Sequence, residues 1–291
     1  MIKKVPDQFL VIGADSAIGS NLFNLLNTTG RNVWGTTRRH KEVNERKIFL
    51  DLSNDLTDWH SPYSFSVIFV CAGITSIKQC QENPEQSSKI NVSNTIQIIK
   101  KLVADGSFVV FLSTNDVFDS KKPFRKIEEV VCPITEYGKQ KVEVERYLSS
   151  LGENASIIRL TKVIHPHTRL FKEWLLKLRG NEQIHPFNNK FFSPIPLSFV
   201  TKVLIQIAES KLSGISHISG DKDITYTEAA QYFAHYLKVG AHLIQPIQTE
   251  EPTRHTTLDS TMIAKKLNLK FPNVEQALNT MFESKEKSFI S

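Results

Sequence analysis

The first 160 residues alternate between short apolar runs of strand length and stretches whose apolar residues repeat at helical spacing. The longest runs, residues 67–72 and 108–112, are continuously apolar, as expected of strands buried on both faces of a parallel sheet. Such alternation produces right-handed βαβ units, so the pattern predicts an α/β chain with a Rossmann-like, doubly wound parallel sheet. The predicted strands are residues 9–12, 32–35, 48–50, 66–72, 108–112 and 155–160, and the predicted helices include 90–102 and 136–148.

The pattern changes after about residue 160. Prolines become frequent between residues 166 and 196, and a run near residues 214–219 could return a strand to the sheet. Thr225 and Glu228 are spaced as a capping box, which predicts a helix through Leu237. We therefore predict a dinucleotide-binding domain over residues 1–160, joined by the strand near 214–219. Residues 161–291 are predicted to form mainly a smaller, interleaved C-terminal substrate-binding cap.

Composition excludes several classes of protein. The 291 residues are 40% hydrophobic and 23% charged, with a formal net charge of +6, which is typical of a globular chain and not of a disordered one. No apolar run reaches the roughly 18 residues of a membrane helix. The basic residues are scattered and follow no nucleic-acid-binding motif, and the cysteines form neither a disulfide nor a zinc pattern. We expect a cytoplasmic protein that holds no metal and binds neither nucleic acid nor membrane.

Two glycines bracket the turn between the first predicted strand and the first predicted helix. In this place a tight turn and the amides of a helix N-terminus can hold a pyrophosphate. A simple tight connection is the alternative interpretation. The predicted cofactor contacts in this turn are Gly13, Asp15, Ser16, Ala17, Ile18 and Gly19.

The end of the second predicted strand discriminates between nicotinamide cofactors. An NAD site usually places a carboxylate there, whereas an arginine can bind the 2′-phosphate of NADP. Here Arg38 and Arg39 follow the strand, and the first carboxylate after the strand is that of Glu42. We therefore predict NADP(H), although two exposed arginines on a loop remain the alternative. Asp51 and Leu52, after the third strand, are predicted near the adenine, with Asp51 as a helix cap as the alternative.

Tyr137 and Lys141 lie four residues apart in a predicted helix, on its apolar face. An unpaired buried ammonium is costly, which suggests a role for the lysine. A neighbouring ammonium is expected to lower the pKa of Tyr137 and make it a proton donor to a carbonyl oxygen. Ser113 and Thr114 end the fifth strand, where a hydroxyl could bind the same carbonyl or simply form a turn.

Motifs along nearly the whole chain resemble those of the extended short-chain dehydrogenases/reductases, and among them the dTDP-4-dehydrorhamnose reductase family. Residues 13–19 resemble the family's Gly-x-x-Gly-x-x-Gly turn, and residues 113–119 its Ser-Thr-Asp-Tyr-Val-Phe-Asp. Tyr137-Gly138 with Lys141 resembles Tyr-Gly-x-Ser-Lys. Further similar segments are residues 71–73, 91–95, 159–166, 192–194 and 258–259.

The resemblance implies a catalytic triad of Thr114, Tyr137 and Lys141, with Asn91 organising the proton relay. NADPH would supply a hydride to C4 of a nucleotide-linked 4-keto-6-deoxy sugar, and Tyr137 would protonate the oxygen. The same resemblance implies cofactor contacts at Cys71, Ala72, Gly73, Tyr137 and Lys141. It implies substrate contacts at Thr75, Thr114, Asn115, Asp116 and Phe192.

Departures from the family pattern bear on cofactor binding and on the type of reaction. Ser16 replaces the middle glycine of the turn, where its side chain is expected to crowd the pyrophosphate, and Gln140 replaces the usual serine. Related 4,6-dehydratases follow the catalytic threonine with an acid and a base, but Asn115 cannot serve as an acid. Reduction is therefore the preferred interpretation.

Two alternatives remain. A nucleotide-sugar 4-epimerase would need tightly held NAD, against which the arginines argue. A non-catalytic binding or regulatory subunit on the same scaffold, such as the regulatory subunit of methionine adenosyltransferase, would have no reason to keep the triad. Family members are often homodimers, but no local feature of the sequence establishes an interface. The base, the sugar and the product stereochemistry do not follow from the sequence.

Overall fold

A computed structural model describes residues 7–104 and 106–283 of the chain. The strands are β1 (Gln8–Ile12), β2 (Asn32–Thr37), β3 (Lys47–Phe49), β4 (Val67–Val70), β5 (Phe108–Thr114), β6 (Ala155–Leu160), β7 (Lys162–Ile164), β8 (Phe191–Phe192), β9 (Pro194–Pro196), β10 (Gly214–Ile218) and β11 (Ile224–Thr225). The α-helices are α1 (Ala17–Thr28), α2 (Ile77–Glu82), α3 (Pro84–Ser88), α4 (Thr95–Val103), α5 (Glu136–Ser149), α6 (Arg169–Arg179), α7 (Leu197–Glu209), α8 (Tyr226–Leu237), α9 (Thr261–Lys266) and α10 (Val274–Asn279).

Seven strands form the main sheet in the order β10-β6-β5-β4-β1-β2-β3. The pairs β1–β2, β1–β4, β2–β3 and β4–β5 are parallel. The direction of strand addition reverses between β1 and β4, and at such a point open α/β sheets bind their ligands. Ile12 pairs with Val70 in the register of these strands, so the turns that follow them start side by side. The predicted doubly wound sheet is confirmed. Strand β10 lies at its edge beside β6.

Most of this sheet lies in the first of two compact units, whose described residues fall within Met1–Phe118, Val130–Arg159 and Thr201–Ser216. Strands β4 and β5 are buried along their whole length, as expected of strands covered on both faces. The core of the unit combines apolar side chains of the sheet with those of the helices around it, among them Ile98, Ile99, Val144 and Leu148.

The second unit comprises Asp119–Glu129, Leu160–Val200 and the described part of His217–Ser291. Two short sheets occur in it, β7–β9 parallel and β8–β11 antiparallel. Helix α8 begins at the predicted capping box, in which Oγ1 of Thr225 accepts from the N–H of Glu228 at 3.0 Å. The core of this unit is mainly aliphatic, but it contains a cluster of ring contacts among Phe171, Trp174, Phe192, Tyr226 and Phe233.

The helix predicted over residues 90–102 is divided. A π-helical turn spans Lys89–Asn94, and α4 begins only at Thr95. The side chains of Asn91 and Asn94 are both buried here, and Asn94 donates to the carbonyl oxygens of Leu52 and Asn54 at 2.7 and 2.8 Å. Single π turns of this kind often accompany functional sites, because the extra residue changes the direction of the side chains.

None of the helices within the described residues is long and apolar enough to cross a membrane. Over residues 7–104 and 106–283, no group of three or more histidine, cysteine, aspartate or glutamate side chains is placed to hold a metal ion.

Candidate active site

Helix α5 carries two of the predicted catalytic side chains. Thr135 caps the helix, its Oγ1 accepting from the N–H of Gly138 at 3.0 Å. A Cβ on Gly138 would lie 2.1 Å from the carbonyl oxygen of Asp116, so glycine allows the helix to approach the loop after β5 closely. Tyr137 and Lys141, one turn apart, are 7% and 6% exposed. The prediction that both side chains lie on the inward-facing side of the helix is confirmed.

The buried ammonium of Lys141 is held by the backbone and by an aromatic ring. Its Nζ donates to the carbonyl oxygen of Leu112 in β5 at 2.8 Å and lies 4.4 Å from the centre of the Phe111 ring. Burial lowers the pKa of Lys141 to about 8, although the carboxylate of Glu145 acts in the opposite direction. Lys141 is therefore charged at neutral pH and loses its proton under mildly alkaline conditions.

The expected lowering of the pKa of Tyr137 is wrong for this structure. Burial raises the pKa of Tyr137 above its ordinary value, and the charge of Asp116 adds to this effect. A hydrogen bond with Thr114 only partly opposes it. The ammonium of Lys141 lies 5.8 Å from the centre of the tyrosine ring and donates its hydrogen bond to Leu112 instead. At neutral pH the phenol keeps its proton, which is the form that a proton donor requires.

Thr114 lies at the end of β5 and caps the short helical turn Asn115–Val117. Its Oγ1 accepts from the N–H of Asp116 at 3.2 Å and lies 3.4 Å from a carboxylate oxygen of the same residue. Asn115 and Asp116 are therefore placed directly beside the threonine. The structure thus brings together Thr114, Tyr137 and Lys141 at the carboxyl end of β5.

A buried ion pair beside this triad is not predicted from the sequence. Glu145, one turn after Lys141, accepts from the hydroxyl of Ser113 and from Arg159 of β6, whose Nε and Nη2 lie 3.1 and 2.7 Å from its carboxylate oxygens. All of these side chains are buried. The pair therefore links α5 to β5 and β6. Two features of the sequence could have indicated this ion pair. One is a carboxylate one turn after the inward-facing lysine, and the other is an arginine inside an apolar strand.

The buried side chain of Asn91 is hydrogen-bonded to the loop after β4 and to α5. Its amide binds both backbone groups of Ile74, accepting from the N–H at 2.7 Å and donating to the carbonyl at 2.9 Å. It also donates to Oε1 of Gln140 at 2.8 Å, and Gln140 donates to Ser87 at 2.8 Å. Among the described residues no hydrogen bond joins the side chains of Asn91 and Lys141. The side chain of Asn91 therefore holds the loop after β4, and Gln140 is part of that arrangement.

The turn after β1 is tight and packs closely against the loop after β4. Gly13 has φ = +83°, and a Cβ there would lie 2.7 Å from the backbone nitrogen of Ala72. Ser16 caps α1, its Oγ accepting from the N–H of Gly19 at 3.1 Å. The serine that replaces the family's middle glycine thus has a local role as a helix cap. Ala17 and Ile18 form the first turn of α1, whose amides are available to an anion.

A carboxylate does lie at the end of β2, contrary to the interpretation of the sequence. Oγ1 of Thr37, the last residue of β2, donates to Asp15 at 2.7 Å. The guanidinium of Arg39 is paired with Glu42 at 2.7 Å, while Arg38 is exposed. The contact between Asp15 and Thr37 could not be predicted from the sequence pattern, because the two residues are 22 positions apart.

Two cofactor contacts predicted after β3 have local roles. Oδ1 of Asp51 accepts from the N–H and the hydroxyl of Ser53 at 2.9 and 2.8 Å, and no α-helix begins there, so the helix-cap alternative is wrong. The side chain of Leu52 is buried in the core of the first unit.

Cys71 follows β4, its N–H donating to the carbonyl of Ile12 at 2.9 Å. This places Cys71, Ala72 and Gly73 beside the turn after β1.

The remaining predicted substrate contacts differ in environment. Thr75 is exposed in the loop after β4. Phe192 belongs to the second unit, where its ring is 2% exposed and lies 4.6 Å from that of Tyr226. The structure therefore places Phe192 in the core of the second unit. A two-residue strand is too short for its periodicity to reveal which side is covered.

Comparisons with known proteins identify the family of the chain. A family model described as RmlD substrate binding domain matches residues 7–286. The dTDP-4-dehydrorhamnose reductase of Aggregatibacter actinomycetemcomitans is 25% identical over 77% of this chain and 76% of its own. Methionine adenosyltransferase 2 subunit beta of Bos taurus is 24% identical over 84% and 75%.

A solved structure shares the fold. The dTDP-4-dehydrorhamnose reductase of Bacillus anthracis str. Ames, in complex with NADP, superposes with a TM-score of 0.82 at 19% identity, covering 96% of this chain and 99% of its own. The family model spans nearly the whole chain, and the fold agrees with it. The chain therefore belongs to the RmlD substrate binding domain family, an extended short-chain dehydrogenase/reductase that resembles dTDP-4-dehydrorhamnose reductase.

Proposed function

We propose that the chain is an NADP(H)-dependent reductase of a nucleotide-linked 4-keto-6-deoxy sugar. The observation that carries the proposal is the buried triad of Thr114, Tyr137 and Lys141 at the carboxyl end of β5. A protonated phenol beside a hydroxyl and a buried ammonium suits reduction of a carbonyl group. The similarity to reductases of this substrate class supports the choice of sugar.

The turn after β1 fits a dinucleotide. Gly13 lets the backbone of Ala72 approach the turn closely, and Ser16 caps the end of α1, whose first amides can bind an anion. Cys71, Ala72 and Gly73 border the same turn, and Arg38 would bind the 2′-phosphate. When bound, the nicotinamide ring supplies the hydride.

Two side chains of the triad act on the carbonyl oxygen of the sugar substrate. In the proposed mechanism the hydroxyl of Thr114 donates a hydrogen bond to the C4 oxygen, and the hydroxyl of Tyr137 delivers its proton there. The charge of Lys141 favours the phenolate that remains. Leu112 and Phe111 hold this ammonium in place, so the charge does not move when the proton leaves.

A substrate panel tests the proposal. The chain is incubated with NADPH and 4-keto-6-deoxy sugars linked to dTDP, UDP or GDP, and NADPH oxidation and the unfolding temperature are measured. One sugar should support turnover and raise the unfolding temperature, because a ligand that binds only the folded state stabilises it. Absence of both responses across the panel contradicts the proposal. NAD released on denaturing the purified chain indicates a 4-epimerase instead.

The rate should fall as the pH rises through about 8, where Lys141 loses its proton. The ammonium is present below that pH and absent above it, so kcat/KM should show an alkaline limb. The neighbouring thiol of Cys71 does not account for such a limb, because burial raises its pKa to about 12. In Lys141→Arg, whose cation persists at high pH, any remaining activity should lack the limb. A limb that stays near pH 8 in that variant assigns it to another group.

A subunit function is the second candidate. It is favoured by the similarity to methionine adenosyltransferase 2 subunit beta, which extends over 84% of this chain. Stable co-elution with a methionine adenosyltransferase, together with no turnover of any sugar in the panel, would support it. Turnover without such co-elution would exclude it.

A further inference from the structure

The carboxylate of Asp15, in the turn after β1, lies beside the last residue of β2. Its Oδ2 accepts from the hydroxyl of Thr37 at 2.7 Å, at the last residue of β2. A carboxylate at the end of the second strand accepts from the ribose hydroxyls of NAD and repels the 2′-phosphate of NADP. The side chain is only 18% exposed, so solvent screens its charge incompletely. Taken alone, Asp15 favours NADH.

Lys47 offsets this charge. It is the first residue of β3, and its Nζ lies 3.4 Å from Asp15 and 3.4 Å from Glu42. Glu42 in turn pairs with Arg39 at 2.7 Å. These four side chains therefore form an alternating chain of two carboxylates and two cations with no net charge. Arg38, beside Thr37, adds one positive charge for an incoming phosphate.

We infer that Lys47 is the residue that sets the preference for NADPH over NADH, by neutralising Asp15 beside the 2′ position of the adenosine ribose. The inference rests on the proposed function, in which a nicotinamide dinucleotide binds at the turn after β1. Without Lys47, the two carboxylates outnumber Arg39, and Arg38 alone faces a doubly charged phosphate. Without Asp15, the cations are in excess and the carboxylate that would accept from the ribose of NADH is gone.

Cofactor affinity tests this inference without any sugar substrate. Dissociation constants for NADPH and NADH are measured by the fluorescence of the reduced nicotinamide, in the unmodified chain and in Lys47→Met, Asp15→Asn and the double variant. The ratio Kd(NADPH)/Kd(NADH) should rise about tenfold in Lys47→Met, the effect expected of one partly buried charge on a phosphate. It should fall in Asp15→Asn and return towards the original value in the double variant.

Two controls separate charge from folding. Lys47→Arg keeps the cation and should keep the ratio. Lys78→Met removes a lysine that pairs with Glu82 on the exposed face of α2, and it should leave both constants unchanged. Thermal shifts with 2′,5′-ADP and with 5′-AMP measure the effect of the 2′-phosphate alone and should change in parallel.

The outcomes distinguish the two proposals. If the unmodified chain binds a reduced dinucleotide and Lys47→Met leaves the ratio unchanged, this inference is overturned and the proposed function stands. If the folded, unmodified chain binds neither dinucleotide, the proposed function is overturned together with the inference.

Discussion

Replacing Tyr137 by phenylalanine should lower kcat by roughly 10²- to 10⁴-fold, the usual contribution of a positioned general acid. The substitution removes the hydroxyl that would protonate the carbonyl oxygen and keeps the ring, which is 7% exposed and packed against its neighbours. The fold and the affinity for NADPH should therefore change little. The measurements are NADPH oxidation at saturating sugar and the fluorescence titration of NADPH.

Tyr147 provides a matched control on the same helix. It lies in α5, and its ring is in contact with the ammonium of Lys100 at 5.4 Å. Tyr147→Phe removes a hydroxyl from the same helix but away from the triad, so kcat should stay within about twofold of the original, as for most surface changes. Full activity of Tyr137→Phe would exclude this tyrosine as the proton donor.

Replacing Arg159 by methionine should lower the free energy of unfolding by about 3–5 kcal/mol, the cost of removing one partner from a buried ion pair. The carboxylate of Glu145 would remain buried, with the hydroxyl of Ser113 as its remaining donor among the contacts described above. Denaturant unfolding, with the slope compared between variants, measures the loss.

The double variant Arg159→Met/Glu145→Leu should recover part of this stability, because no charge is then left buried. Recovery should be incomplete, since the hydroxyl of Ser113 loses its acceptor. Arg31→Met breaks the more exposed pair between Arg31 and Glu209 and should cost no more than about 1 kcal/mol. A loss of that small size for Arg159→Met would show that the buried pair does not support the fold.

Local pattern was sufficient to predict much of this molecule. Strands β4 and β5 are recognisable because strands covered on both faces are continuously apolar. The spacing of Tyr137 and Lys141 places both on one side of α5, since residues four apart share a helix face. The capping box before α8 is likewise a local feature. In each case the information lies within one turn or one strand.

Contacts between distant segments could not be predicted in this way. The raised pKa of Tyr137 depends on burial and on Asp116, and Phe192 proves to be a core residue only once the elements around it are in place. The amide of Asn91 binds Ile74 and Gln140, which lie 17 and 49 residues away. None of these partners is visible in the spacing of one element.

The sequence by itself determined the order of strands β1 to β6, the turn after β1 and the shared face of Tyr137 and Lys141, because periodicity and turn chemistry act over a few residues. Only the tertiary structure decided the charges around these groups. Parallel pairing of β1 with β2 and of β2 with β3 brings Asp15, Thr37 and Lys47 together. Packing of α5 on the sheet likewise joins Glu145 to Arg159. Electrostatic interactions depend on distance in space and on burial, and neither is encoded in the separation along the chain.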